Sequence, residues 1–459
     1  MDPVHDPPRK IGSICPPLFV HAFIHHFGNT HETGKSKLRP AGPPPSRRRC
    51  DLLQMADMPG RCRCLRSPAP TAVDAVMNSR HRAARLAFAL FVITTGVNLQ
   101  APLYAAMARQ DGVGLTATTV AFSFYVAGIV PVLLLLGGLS DHIGRRPVIW
   151  MSLALSGAST LLMLISPHIV TLGAARWLLG VGTALMSAAA PAYMADILDV
   201  DHPGSSASWV TASTSLGFGL GPALTGLFLF IDDSLRPPSL WLHLAGTIVS
   251  AALLSKLPKC NVRRQGSLVL GLPYYPAGAW WFGGAILLAW ATTGLIISIL
   301  PAVLARVGLT QWSGVATLCA ISCGLAFQPA ARRLSPTRST RTGLMLLPPA
   351  YALLSWGALQ GNVALVLIGA LVASSACYGF IYLGGLSGVA ALAGTRKARA
   401  SSGFFLMAYV GFSVPVVFTG ILADNFGLEM ALGTFGVLLA AGVGLMLMRP
   451  GENSPTSNG

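Results

Sequence analysis

Charge is what this chain has least of. Asp, Glu, Lys and Arg make up 10% of its 459 residues, where soluble domains carry about a quarter because their surfaces face water. So few charges cannot clothe a water-exposed globule of this size, and most of the surface must meet lipid. Acids are the scarcer sign, with 16 Asp+Glu against 32 Lys+Arg and a net charge of +16. Cysteine forms no framework. Cys319, Cys323 and Cys377 lie in apolar segments, where a thiol is a small packing group, and Cys15, Cys50, Cys62 and Cys64 match no common zinc spacing. Signatures of catalysis are missing too. Gly28 and Gly34-Lys35-Ser36 stand five residues apart where a phosphate loop needs four. His31-Glu32 has no second histidine four positions on, and no Gly-x-Ser-x-Gly elbow occurs. The expectation is a protein that is not an enzyme, with no metal, no cofactor and no nucleotide hydrolysis.

What is present is hydrophobic. Apolar residues reach 53%, mean hydropathy is +0.61, and the 50 glycines suit membrane helices that pack closely. Apolar runs of about 20 residues, each able to cross a bilayer as a helix, fall near 86–108, 117–138, 148–166, 169–194, 207–230, 239–257, 278–304, 311–329, 342–359, 363–391, 401–422 and 430–448. The fold class is an all-α integral membrane protein of twelve transmembrane helices. Residues 1–85 differ. Rich in Pro, Arg and Ser, with Pro43-Pro44-Pro45 and Arg47-Arg48-Arg49, they hold no long apolar period and are expected to be a disordered basic extension. Met58 and Met77 leave two readings open, an over-extended gene start or a regulatory arm.

The position of the charges tests the count. The extension holds 14 of the 32 Lys+Arg. Of the other 18, the connections after even-numbered spans and the C-terminal end hold 14, among them Arg145, Arg146, Lys256, Lys259, Arg332, Arg333, Arg396 and Lys397. Arg109, Arg236 and Arg306 fall on the opposite side, and Arg176 lies inside the fourth span. This is the asymmetry of the positive-inside rule, so both termini are expected in the cytosol and the chain in the inner (plasma) membrane. No basic stripe with interleaved aromatics forms, so nucleic acid is not an expected partner. The polar connection 258–277 divides the chain into bundles 86–257 and 278–448 of six helices each, with a cytosolic tail 449–459. Leu139-Ser140 recurs as Leu334-Ser335, and Gly221-Pro222 with Gly226 is echoed by Pro415 with Gly420, as two repeated halves would show.

Three segments carry a resemblance. Gly138-Leu139-Ser140-Asp141-His142-Ile143-Gly144-Arg145-Arg146-Pro147, between the second and third spans, resembles the loop signature of the major facilitator superfamily. Gly138 and Gly144 permit a tight turn, and Pro147 can start a helix. Asp141 could pair with Arg145 or sit at the positive N-terminus of another helix. Arg176-Trp177-Leu178-Leu179-Gly180-Val181-Gly182 is similar to the family's Arg-x-x-Gln-Gly-x-Gly segment, with Leu179 in place of glutamine. An arginine there is costly and faces a cavity or partner, or else snorkels to the interface. Gly217-Phe218-Gly219-Leu220-Gly221-Pro222-Ala223-Leu224-Thr225-Gly226 is similar to the family's antiporter signature.

The resemblance implies two pseudo-symmetric six-helix bundles that rock about a midplane site, a small-molecule substrate, a proton as coupling ion, and a monomer in the lipid bilayer. The proton-sensitive gate would be Gly138, Asp141, Gly144, Arg145 and Arg146. A buried helix charge would be Arg176 with Gly180 and Gly182, and Gly217, Gly221, Pro222 and Gly226 would mark the antiporter segment. The cavity candidates are Asn98, Gln100, Tyr125, Trp290, Tyr378, Tyr382 and Tyr409, which suit an amphipathic, partly aromatic molecule. The expected activity is proton-driven export of a drug, siderophore or metabolite. An uptake permease and a non-transporting membrane sensor are the competing readings.

Overall fold

The computed structural model describes residues 72–136, 139–198, 205–257 and 273–448. Most of the N-terminal extension, Gly138, most of the expected linker and the C-terminal tail lie outside these residues. Residues from Val76 onward form one unit, built of helices throughout its described residues.

Twelve helical spans follow one another. They are α1 (Ala72–Asn98, resuming as Tyr104–Asp111), α2 (Leu115–Leu135), α3 (Arg145–Ile165), α4 (Ile169–Leu198), α5 (Ser206–Phe228) and α6 (Pro238–Ser255). The second set is α7 (Ala279–Ser298, resuming as Leu300–Arg306), α8 (Trp312–Ser322, running on through tighter turns to Ala331), α9 (Pro336–Leu359), α10 (Val363–Ser374, then Ser375–Ile381 and Tyr382–Leu392), α11 (Lys397–Phe426) and α12 (Leu428–Met448). Each expected span has its helix. Eleven of them are long and apolar enough to cross a membrane. The other, α5, has the length, 23 residues, but its Ser, Thr and Gly content dilutes its hydropathy. The first helix begins earlier than expected. It reaches back to Ala72, and Ala83 and Leu86 are fully buried, so part of the extension expected to be disordered belongs to the bundle.

An even number of crossings returns the chain to the face where it started. That face carries Arg145, Arg146, Lys256, Arg332, Arg333 and Arg396 and is called here the basic face; the far face carries Arg109, Arg236 and Arg306. Within halves, α2 packs on α4 and α7 on α11; between halves, α2 meets α11 and α5 meets α8. Helix α4 approaches α2 so closely that a Cβ on Gly180 would press into the Tyr125 carbonyl, and one on Gly128 into that of Trp177. Backbone cannot retreat as a side-chain tip can. Gly180→Val is therefore expected to destabilise the N-terminal bundle by about 1–3 kcal/mol, the usual cost of overpacking, read as a lower thermal midpoint of the detergent-purified protein.

Several contacts join the halves near the far face. A Cβ on Gly226 of α5 would meet the Gln311 carbonyl, and one on Gly314 of α8 the Pro222 carbonyl. Beside them, Asp424 of α11 accepts from the backbone N–H groups of Leu115 and Thr116 at the start of α2, both at 2.8 Å. The N-cap of α2 is Gly114, which has no side chain to offer. The carboxylate of the opposite half takes that place, satisfying two orphan donors at the positive end of the helix.

Candidate functional site

The first helix of each half is broken. Helix α1 stops at Asn98, turns through Leu99 and Gln100, passes a single 3-10 turn with Pro102, and resumes at Tyr104. Helix α7 stops at Ser298 and resumes at Leu300 with Pro301. Proline lacks the N–H that would continue the ladder and crowds the preceding turn. In transporters built from repeated halves, helices interrupted at corresponding places are a pointer to the binding site.

Arg176 sits against the break in α1. Its Nη1 donates to the Val97 carbonyl at 2.6 Å and to Asn98 Oδ1 at 3.5 Å, and Nε donates to the Phe122 carbonyl at 3.4 Å. The guanidinium carbon stands 4.5 Å from the centre of the Phe122 ring and 4.9 Å from that of Tyr125, within cation–π range. The residue is 0% exposed, so it does not snorkel, although it lies only two turns inside α4. Asn98 completes the junction by donating from Nδ2 to the Phe218 carbonyl of α5 at 3.2 Å. Leu179, which replaces the expected glutamine, is buried.

The aromatic candidates divide. Trp290 of α7 stands edge-on to Tyr409 at 5.3 Å and lies 6.5 Å from Tyr378. It also meets Phe412 at 5.7 Å, and Phe412 crosses to the other half to reach Phe122 at 4.8 Å and Tyr125 at 6.2 Å. The rings thus run unbroken from Arg176 in one half to Trp290 in the other. Tyr382 stands apart, against Phe405 at 6.2 Å. Gln100 is fully buried beside the break. Sequence reasoning missed Phe122, Phe412 and Tyr104. The signal existed for the first two: each lies three positions from a tyrosine candidate on the same helix and so shares its face.

The loop before α3 is tied to α4 and α6 through its two arginines. Its backbone forms one helical turn, Leu139–Ile143, and Gly144 turns the chain at φ 96°, a region that favours glycine. Arg145 pairs with Asp196 of α4 and donates to the Ala192 carbonyl at 2.6 Å. The Asp141 side chain and Gly138 lie outside the described residues. Arg146 donates to the carbonyls of Leu257 and Ser255 at 2.9 and 2.8 Å, closing the C-terminal end of α6. Glycines of the α5 segment serve packing. A Cβ on Gly217 would strike Thr94 and one on Gly221 the Thr95 carbonyl, so this strip brings α5 onto α1, while Gly226 faces α8. Gly182 lies against Ser152 of α3.

Two helical halves meeting over a buried polar junction at paired helix breaks define a polytopic membrane transporter. Residues 86–358 match the family model of the Major Facilitator Superfamily, and the chain belongs to that superfamily. An uncharacterized transporter of Rickettsia bellii (strain RML369-C) is 30% identical over 149 residues, 32% of this chain and 36% of that protein; the match spans about a third of the relative's length. Among solved structures, the nucleoside transporter NupG superposes with a TM-score of 0.66 at 12% identity, covering 82% of this chain and 100% of that one. A POT family transporter in complex with 5-aminolevulinic acid superposes at 0.63 and 14% identity, covering 80% and 95%. At such identities the likeness is one of fold.

Proposed function

We propose that this chain is a secondary active carrier whose site is the junction of Arg176, Asn98 and the rings linking Phe122 to Trp290. Its substrate is a small amphipathic molecule with an unsaturated ring, moved by alternating access. The observation that carries the reading is the break of α1, which has a counterpart in α7, set against a wholly buried arginine, since a charge within an apolar span is retained for a pathway or partner. The positive-inside rule supports a cytosolic basic face, so closure near the far face corresponds to a site directed toward the cytosol. The likeness of the α5 segment to the antiporter signature favours export in exchange for protons. The group we assign to proton sensing is Asp141, at the membrane edge on the basic face.

Reconstituted into liposomes, the protein is expected to drive a pH-gradient-dependent flux of substrate out of the compartment facing the basic face. Flux that runs only the other way, or that ignores the gradient, overturns the export reading and favours an uptake permease. Asp141→Asn is expected to leave gradient-free counterflow intact and to remove its response to the gradient; an unchanged response removes Asp141 from the coupling.

A further inference from the structure

Polar side chains left without partners inside an apolar bundle say what the bundle is built to receive. Four such groups surround the break in α1 and the aromatic bridge: Nη2 of Arg176, both amide atoms of Gln100, the hydroxyl of Tyr104 and Nε1 of Trp290. Arg176 and Gln100 are 0% exposed and Tyr104 is 1% exposed. Each such bond left unmade costs about 1–3 kcal/mol, more for a charged group, so a ligand that brought acceptors to these groups would be favoured. The set is rich in donors. The guanidinium, the indole and the amide nitrogen can only donate, and the hydroxyl can donate as well. The charge is unbalanced too. The carboxylate of Asp196 is taken by Arg145 and that of Asp111 by His168, not by Arg176.

A crevice of about 370 Å³ opens on the far-face side of this junction, and Tyr104, Thr118 and Ser298 line it together with Arg109, Arg306 and Asp424. Two of the three arginines on the far face therefore line one crevice, against the bias that keeps cations off that face. The one acid there is already occupied, its two oxygens receiving the N–H groups of Leu115 and Thr116. The vestibule is positive, and Tyr104 connects it to the arginine-bearing break.

Resting on the carrier reading above, we infer that the substrate is an anion, a small aromatic or heteroaromatic carboxylate. Its carboxylate takes the free edge of Arg176 with the Tyr104 hydroxyl, and its ring lies among Phe122, Phe412 and Trp290. Arginine is suited to this, since its planar fork meets both carboxylate oxygens. A cationic substrate would meet an uncompensated guanidinium and no acid.

The test uses the full chain in detergent, with indole-3-acetate and benzoate as probes against indole-3-acetamide, benzamide and benzylamine. Binding is read from quenching of tryptophan fluorescence and from the thermal midpoint. Carboxylates are expected to bind about ten- to a hundredfold more tightly than the matching amides, and the amine not at all. Arg176→Gln should erase that preference. Tyr104→Phe removes a hydroxyl with no partner in the protein, so it should fold normally and weaken carboxylates severalfold while leaving the amides unchanged. No carboxylate preference across the panel, tighter binding of the amine, or a preference that survives both substitutions overturns the inference. Liposome flux separates this from the carrier reading. A carboxylate that binds through Arg176 and never crosses sinks the carrier and keeps the site. A carboxylate carried equally well by Arg176→Gln sinks the site and keeps the carrier.

Discussion

Replacing Arg176 with methionine is expected to lower substrate flux in liposomes about a hundredfold, the worth of a charge-assisted bond made only to the substrate, while the protein stays folded. The two halves of that expectation have separate causes. Flux falls because the break in α1 loses the cation set against it. Stability holds because the substitution removes opposing terms of similar size. One short charge-assisted hydrogen bond of about 1.5–3 kcal/mol, two long ones of roughly 1 kcal/mol each and two cation–π contacts of about 1 kcal/mol each disappear. With them goes the desolvation penalty of an unpaired buried charge, several kcal/mol. The thermal midpoint should therefore move by no more than a few degrees. Arg176→Lys keeps the charge without the planar fork and should recover part of the flux. A methionine variant that unfolds would show the arginine to be a structural strut, and one that transports like the parent would remove it from the site.

The second large effect concerns the contact between halves near the far face. Asp424 caps α2 from α11, and a cap of this kind contributes about 0.5–2 kcal/mol, with a further 0.3–1 kcal/mol from the helix dipole at most surface sites. On the alternating-access reading the bond is made with the halves closed there and broken when they part, so its loss weighs on one conformation alone. Asp424→Ala should raise the far-face-open population roughly ten- to a hundredfold. The reporter is a cysteine at Thr118, 1% exposed in this structure and part of the crevice wall, in a background lacking other reactive thiols. Its alkylation by a membrane-impermeant maleimide should quicken by the same factor. Gly114→Asp should act in the same direction, because the new side chain would fill the space of the Asp424 carboxylate and cap α2 from within its own half. Unchanged alkylation in both variants would mean that closure does not depend on this cap.

The spans were legible in the sequence because lipid imposes one rule along their whole length, and that rule shows as composition. It located even α5, whose apolar content is lower than that of its neighbours. The halves could be read from charge in the connections and from faint echoes such as Gly221-Pro222 against Pro415. The start of α1 was not legible, since residues 72–85 are too polar to count as a span and become helix only as a continuation of one. At the site, Asn98, Tyr125, Trp290 and Tyr409 could be nominated as polar or aromatic residues in apolar helices. What they touch could not. The position of Arg176 allowed both snorkelling and burial, and the choice is made by a carbonyl freed at Val97, 79 positions away. The Asp424 cap was hidden for the same reason: its partners are backbone groups 309 and 308 positions away, and backbone carries no residue identity.

Helix α10 is wound loosely over Ser375–Ile381, in the i to i+5 pattern of a π-helix, and α8 beside it is wound tightly over Cys323–Phe327. The Gly324 N–H donates to Ser374 Oγ at 2.7 Å where they touch. A loose turn stores one residue more than an ordinary one. Returning it to regular pitch would swing everything beyond it by about 100°, with each amide exchanging one acceptor for the next and none left bare. Tyr378 lies inside that turn. The wall of the site thus carries one residue of slack at Tyr378, and taking it up would re-aim that phenol together with the turns beyond it.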